Sequence, residues 1–228
     1  MSRQRPPAPW VAVLPGGTAP SQAAVLRELR SAILAGHVRP GAAIPVDDVA
    51  ARFAVSRIPV REALTTLVAE GLVEHEPRGA FVVTRLTREE LVELYVVRAS
   101  LEVAALAASV QRATDADVAE ATAALAALED RSATGGAPGH HRSSRAFHLA
   151  LLAPCRMPRL LGMVERAWNV AEPGRPMAHA SDDATAALAA DHVAMLAAFV
   201  ARDAERLVTV ATAHHERLQQ IVAGIPVE

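Results

Sequence analysis

The sequence predicts a mainly α-helical protein in two parts: a small helical domain closed by a β-ribbon, followed by an all-helical bundle. Three observations carry this expectation. Alanine is about a fifth of the chain and aromatic residues only 3%, so the core is aliphatic and helical rather than a sheet sandwich. Of the 228 residues, 51% are hydrophobic and 21% charged, enough to bury one large core or two modest ones. The charge is also divided. Residues 1–85 carry ten Arg against seven acids (+3), and residues 86–228 carry thirteen Arg against eighteen acids (−5), which gives the net −2. The chain has no lysine, so every fixed cation is a planar guanidinium suited to phosphate or guanine.

Several classes are excluded at this level. Arg, Asp, Glu or His interrupts every apolar stretch before the ~18 residues that a membrane helix needs. The opening Met1-Ser2-Arg3-Gln4-Arg5-Pro6-Pro7 lacks the apolar block of a secretory signal. A single cysteine, Cys155, excludes an internal disulfide framework and a multi-cysteine zinc cluster. The expectation is a soluble cytoplasmic protein without membrane association.

Taken in order, residues 1–20 hold five Pro and two Gly without periodicity and read as a flexible tail. Residues 21–85 form the first domain. A helix runs from about Ser21 to Ala35, with Val25, Leu29 and Ile33 on one stripe, and is stopped by Gly36 and Pro40-Gly41. A short second helix follows Pro45, with Asp47 and Asp48 in its first turn, where the helix dipole favours acids, and Val49 and Phe53 inward. Ser56 caps a third helix reaching about Glu70, with Pro59 tolerated in its first turn. Leu72–His75, the turn Glu76-Pro77-Arg78-Gly79, and Ala80–Val83 then read as strand, turn, strand.

Three short helices and a terminal hairpin make a winged helix-turn-helix, in which one helix braces against the DNA backbone while the next lies in the major groove. On the third helix Val60, Leu64 and Leu67 fall on the core side, leaving Ser56, Arg57, Ile58 and Arg61 outward. A merely solvated face is the alternative for Arg57 and Arg61.

The run Arg39-Pro40-Gly41, Ile44-Pro45, Val55-Ser56-Arg57-Ile58-Pro59-Val60-Arg61-Glu62-Ala63-Leu64, Glu70-Gly71-Leu72-Val73 and Arg78-Gly79-Ala80-Phe81-Val82 resembles the DNA-binding domain of GntR-family transcription regulators. The resemblance implies that Ser56, Arg57 and Arg61 contact a double-stranded operator, and that Arg78 and Gly79 sit at the wing tip beside the minor groove. Two positions depart from the family pattern. Asp48 stands where an Arg is common, and Ile58 where Thr is common; Ile58 is suited to a thymine methyl.

Residues 86–228 read as an all-helical domain, to which the family resemblance assigns effector binding and dimerisation. Thr87-Arg88-Glu89-Glu90 is a capping box opening a helix to about Arg112, and Thr114-Asp115-Ala116-Asp117 starts another. Ser132–Gly139 reads as a flexible link. Further helices are expected around 140–153, 157–171, 182–201 and 203–222, the last capped by Asp203. Arg88-Glu89-Glu90-Leu91, Glu93-Leu94-Tyr95, Arg98, Leu101-Glu102, Arg145-Ala146-Phe147-His148, Asp191-His192 and Arg202-Asp203-Ala204-Glu205, in this order, resemble the ligand-sensing FCD domain of the FadR/VanR-type branch.

Helical spacing singles out three histidines. His148 shares a face with Leu151 and Leu152, His192 with Leu188 and Leu196, and His214 with Leu207, Val210, Leu218 and Ile221. His215 shares the weaker stripe of Val208, Ala211 and Gln219 and is passed over for His214. Each histidine alone reads first as a core residue with one hydrogen bond met. Three converging neutral imidazoles point to a divalent metal, zinc or nickel. The resemblance implies an Asp or Asn ligand one turn before the first His, where this chain has Ser144. It also implies that the metal anchors a small carboxylate effector; Arg98 is expected as a second, cationic contact, and an internal ion pair of Arg98 with Glu102 is the alternative.

The function expected is therefore a homodimeric, ligand-responsive repressor or activator, not an enzyme. A metal-free regulator sensing an acyl chain is the alternative, kept open by Ser144. A metal-dependent hydrolase is the remote one, disfavoured because no inward Glu or Asp is expected beside the histidines.

Overall fold

The structure, a computed structural model, describes residues 8–16, 21–77, 79–133, 137–174 and 176–225. The chain divides into two compact units, Met1–Leu86 with Glu172–Gly174, and Thr87–Ala171 with Arg175–Glu228.

In the first unit, Ser21 accepts a hydrogen bond from Ala24 N and caps α1 (Gln22–Leu34), which buries Val25, Leu29, Ala32 and Ile33. α2 (Val46–Phe53) ends at Ala54, whose left-handed φ of 54° turns the chain sharply into α3 (Arg57–Ala69). α3 buries Val60, Ala63, Leu64 and Leu67. Each large aliphatic side chain among these, fully removed from water, contributes about 1.5–3 kcal/mol, and together they lock the three helices around one core.

The expected ribbon is present as β2 (Val73–His75) and β3 (Phe81–Val83), paired antiparallel with Glu74 opposite Val82. A further strand, β1 (Ala43–Ile44), was not expected and pairs with the other edge of β3, giving the order β1-β3-β2. Two residues between Gly41 and Pro45 are too short for alternation to reveal them.

The flexible tail assigned to residues 1–20 is corrected over Pro9–Leu14. Pro9–Val13 form a 3-10 turn, and Val11 and Leu14 are buried in the core at 3% and 2% exposure. Arg52 fixes the segment by donating from Nε to Leu14 O (2.7 Å) and from Nη2 to Ala12 O (3.1 Å), while Ala8 N donates to Asp48 Oδ2 (3.2 Å). The apolar pair at i and i+3 supplies burial that the surrounding prolines concealed. Residues 1–7 and 17–20 lie outside the described residues.

The second unit is helical throughout. The Thr87/Glu90 capping box opens α4 (Arg88–Val110), with Glu90 N donating to Thr87 Oγ1 and Thr87 N to Glu90 Oε2. Then follow α5 (Asp115–Ala133), α6 (Ala137–Leu152), α7 (Pro158–Ala171), α8 (Asp182–Val200) and α9 (Ala204–Ala223). Asp203 caps α9 by accepting from Arg206 N. The link expected at Ser132–Gly139 is narrower, since α5 reaches Ala133 and α6 begins at Ala137; residues 134–136 lie outside the described residues. α4 lies against α6, α7 and α9, and α8 against α9, so polar groups on these inner faces meet at the centre of the unit.

By length and a mean hydropathy of 1.3, α8 is apolar enough to cross a membrane, contrary to the expectation that no segment would be. Asp191 and His192 interrupt it midway, and its apolar face buries Leu188, Met195 and Phe199 within the unit.

Candidate functional site

The first candidate surface lies on α3. With Val60, Leu64 and Leu67 inward, the opposite side presents Ser56, Arg57, Ile58 and Arg61, all exposed. Ile58, 68% exposed, is a large apolar side chain standing in water among polar neighbours. Ser56 occupies the N-cap position with extended backbone, but its hydroxyl makes no capping hydrogen bond. Arg61 lies 5.6 Å from the centroid of Phe81, a residue of β3.

Arg57 Nε forms an ion pair with Asp47 Oδ1 across the α2–α3 turn. Asp48, singled out from the sequence as the acid replacing a cation, instead points to Ala8 N. The acid beside the arginine-bearing face is therefore Asp47. At the wing tip, Gly79 has φ +83°, its N donates to Glu76 O (2.9 Å), and a Cβ there would meet nothing within 4 Å. Arg78 lies outside the described residues.

The second candidate site lies inside the helical unit. His148 on α6, His192 on α8 and His214 on α9 are all buried, and their ligand nitrogens lie within 4.8 Å of one another. His148 Nε2 and His192 Nε2 are 3.3 Å apart. Two imidazole nitrogens bound to one tetrahedral zinc at ~2.0–2.1 Å stand roughly 3.3 Å apart, so this pair already has the spacing of a shared ion. Outward-facing nitrogens are oriented by carboxylates: His148 Nδ1 faces Glu102 Oε2 at 3.2 Å, and His214 Nδ1 faces Asp191 Oδ2 at 3.5 Å. Arg217 Nε also donates to Asp191 (3.0 Å). Such outer carboxylates fix ring tautomers in metal sites. Ser144, one turn before His148 on α6, is half-buried.

Burial favours the neutral form of His148 and of His214. It lowers the pKa of His148 despite the opposing hydrogen bond to Glu102, and takes His214 down to about 4 despite Asp191. Neutral imidazoles carry the lone pairs that a metal requires. The donor set is three nitrogen ligands and no carboxylate among the described residues, a set that fits zinc or nickel better than calcium or magnesium.

Two residues that the sequence pattern did not place beside these histidines complete the centre. Glu102 is fully buried on α4 and receives Arg98 Nε at 3.1 Å. Burial alone raises its pKa, but Arg98, then His215 and His148, outweigh that and hold the carboxyl well below its usual range. His215, on the weaker apolar stripe of the two, is 1% exposed, with Nε2 3.5 Å from Glu102 Oε2. The expectation that no inward carboxylate stands beside the histidines is therefore corrected. A stripe of Tyr95, Arg98, Glu102 and Ser109 among the apolar positions of α4 was the available signal.

Arg98, itself 1% exposed, makes the ion pair that was the alternative reading of it. Its guanidinium lies near Trp168 (3.7 Å to the ring centroid) and Tyr95 (4.7 Å). Its Nη2 remains buried without a hydrogen-bond partner.

Comparison with known proteins agrees with both halves of the geometry. Residues 21–83 match the family described as bacterial regulatory proteins, gntR family, and residues 93–217 match the FCD domain. The chain is 31% identical over 150 residues to the HTH-type transcriptional regulator McbR of Escherichia coli (strain K12), covering 66% of this chain and 68% of that protein. The solved structure of E. coli McbR/YncC superposes with a TM-score of 0.77, at 28% identity over 88% of this chain and 96% of the other. A chain described as a transcriptional regulator GntR from Rhodococcus sp. RHA1 gives a TM-score of 0.75, at 29% identity over 90% and 99%.

Proposed function

Because the chain belongs to the GntR family of bacterial regulatory proteins and carries an FCD domain, it is a transcriptional regulator, and we propose that a small organic acid, bound with a divalent metal in the helical unit, sets its affinity for DNA. The observation carrying this reading is the convergence of His148, His192 and His214 from three helices into one buried cluster.

In this reading His148, His192 and His214 would hold zinc or nickel, with the Ser144 hydroxyl or water nearby and Glu102 and Asp191 orienting the rings. When bound, the ion would supply a Lewis-acidic position for the carboxylate of the effector. Arg98 contributes its unpartnered Nη2 to the same anion while Glu102 keeps its Nε engaged. Ser56, Arg57, Ile58 and Arg61 read bases in the major groove, and the Arg78-Gly79 turn reaches the minor groove. One recognition helix reads few base pairs, so two copies of the chain act together as a homodimer on a two-fold operator in the cytoplasm. The effector acts by binding one of two states more tightly, and its coupling to DNA is reciprocal.

The test is divalent-metal content of the purified full chain beside His192→Ala, together with gel shifts on its own promoter region before and after chelation. Metal in the wild type, its loss in the variant and a chelation-sensitive effector response are expected. No bound divalent ion in either protein ends the metal reading; an effector response that survives chelation shows a metal-free sensor instead.

A further inference from the structure

We infer that Asp47 is a positioning residue for base recognition, holding the Arg57 guanidinium so that its terminal amino groups meet guanine end-on. The inference rests on the reading of α3 as the helix that enters DNA, and it adds a residue from α2 to the determinants of sequence choice.

Asp47 is costly where it stands. It is 63% exposed, beside a face that meets a polyanion, in a half of the chain whose charge is only +3. Its ion pair with Arg57, itself 71% exposed, is too solvated to contribute much to stability. Helix capping does not require it either. Asp48 already places a carboxylate in the first turn of α2 and uses it to receive Ala8 N.

What the pair does accomplish is orientation. The contact runs from Arg57 Nε to Asp47 Oδ1. With the side edge of the planar guanidinium occupied, Nη1 and Nη2 form the fork that matches guanine O6 and N7. Neighbouring arginines are used differently. Arg52 spends Nε and Nη2 on the carbonyls of Leu14 and Ala12, and Arg30 spends the same two nitrogens on Glu70. Arg57 sits at the first position of α3, where base contacts concentrate in helix-turn-helix proteins. A carboxylate that holds the arginine's side edge also repels phosphate, so Asp47 lowers non-specific affinity while sharpening choice at one base pair.

The experiment is selection of bound duplexes from a randomised library by the full chain, followed by competition binding at fixed salt, for wild type, Asp47→Asn, Asp47→Glu and Arg57→Ala. The wild type should enrich a half-site with one guanine whose preference disappears in Arg57→Ala. In Asp47→Asn that preference should fall about tenfold, within the roughly 5- to 150-fold that one bidentate contact discriminates. Non-cognate DNA should bind more tightly to Asp47→Asn, Asp47→Glu should recover part of the preference, and melting temperatures should stay unchanged. Full retention of the guanine preference in Asp47→Asn overturns the inference and leaves Asp47 a helix-terminal acid. An Arg57→Ala variant with unchanged base preference overturns it equally. Failure of the wild type to enrich any sequence overturns the DNA-binding reading beneath it.

Discussion

His148 Nε2 stands 3.3 Å from His192 Nε2, on two helices whose sequences are 44 residues apart. At that separation the rings share either one proton or one ion. Three features favour the ion: His214 joins the cluster from a third helix, Glu102 holds the far nitrogen of His148, and burial lowers the pKa of His148 and His214. Neutral donors, outer carboxylates and water exclusion together match what a divalent site requires.

Metal should therefore stabilise the fold measurably. At a hundredfold excess over its dissociation constant, zinc adds about 2.7 kcal/mol, or roughly 5–10 °C in Tm for a chain of this size. Thermal melts with zinc, nickel or chelator test this. His192→Ala should melt at one temperature under all three conditions.

Ser144→Asp should tighten metal binding at least tenfold. An aspartate one turn before His148 projects from the same face of α6 and adds an anionic donor to a set that has none among the described residues. Competition against a metal-sensitive chelator measures it. Unchanged affinity would show that position 144 does not reach the ion.

Acid should destabilise the metal-free protein well before its carboxylates titrate. In the unfolded chain His214 takes up a proton near pH 6.5, whereas in the folded protein burial delays this to about pH 4. Between those values the unfolded state binds more protons. Stability is thus full above about pH 6.5 and declines as pH falls toward 4, by roughly 3 kcal/mol for His214 alone. Urea midpoints from pH 7.5 to 4.5 provide the measurement, and His214→Gln should flatten the curve.

Leu14→Ala should cost about 2–5 kcal/mol, the loss expected when a buried leucine leaves a cavity. Val13→Ala next to it, 55% exposed, should change stability by less than about 0.5 kcal/mol. Denaturant midpoints of the two variants distinguish a packed segment from a loose leader.

That segment shows where sequence reasoning reached its limit. Two helix starts were legible because their caps are chemical: Thr87 with Glu90, and Asp203, each accept from a helix N–H as their residue types imply, whereas the Ser56 hydroxyl makes no such bond. The three histidines were legible because each lies one turn from leucines that had to face inward. Val11 and Leu14 were hidden by flanking prolines, and β1 by its length of two residues. His215 was misjudged because its face carries Val208 and Ala211, which read as weakly apolar. In an alanine-rich bundle small size, not strong apolarity, marks where helices approach, and Ala211 is fully buried on α9, which packs against α4. Glu102 was legible as the partner of Arg98 but not as a neighbour of the histidines, because a helical i,i+4 pair looks alike in water and in the core.

The Arg98–Glu102 pair supplies the last prediction. Both side chains are out of water, so removing one charge strands the other. Glu102→Gln should destabilise the protein by about 3–5 kcal/mol, far beyond the loss of a surface pair. Combining it with Arg98→Met should recover part of that cost, because a buried pair replaced on both sides leaves no uncompensated ion. A double-mutant cycle by urea denaturation should give a coupling of about 0.5–3 kcal/mol. Additive losses would show that Glu102 is held by the histidines and not by Arg98. In that case the Arg98 guanidinium is stabilised by Trp168 and Tyr95 and is free to turn wholly toward a bound anion.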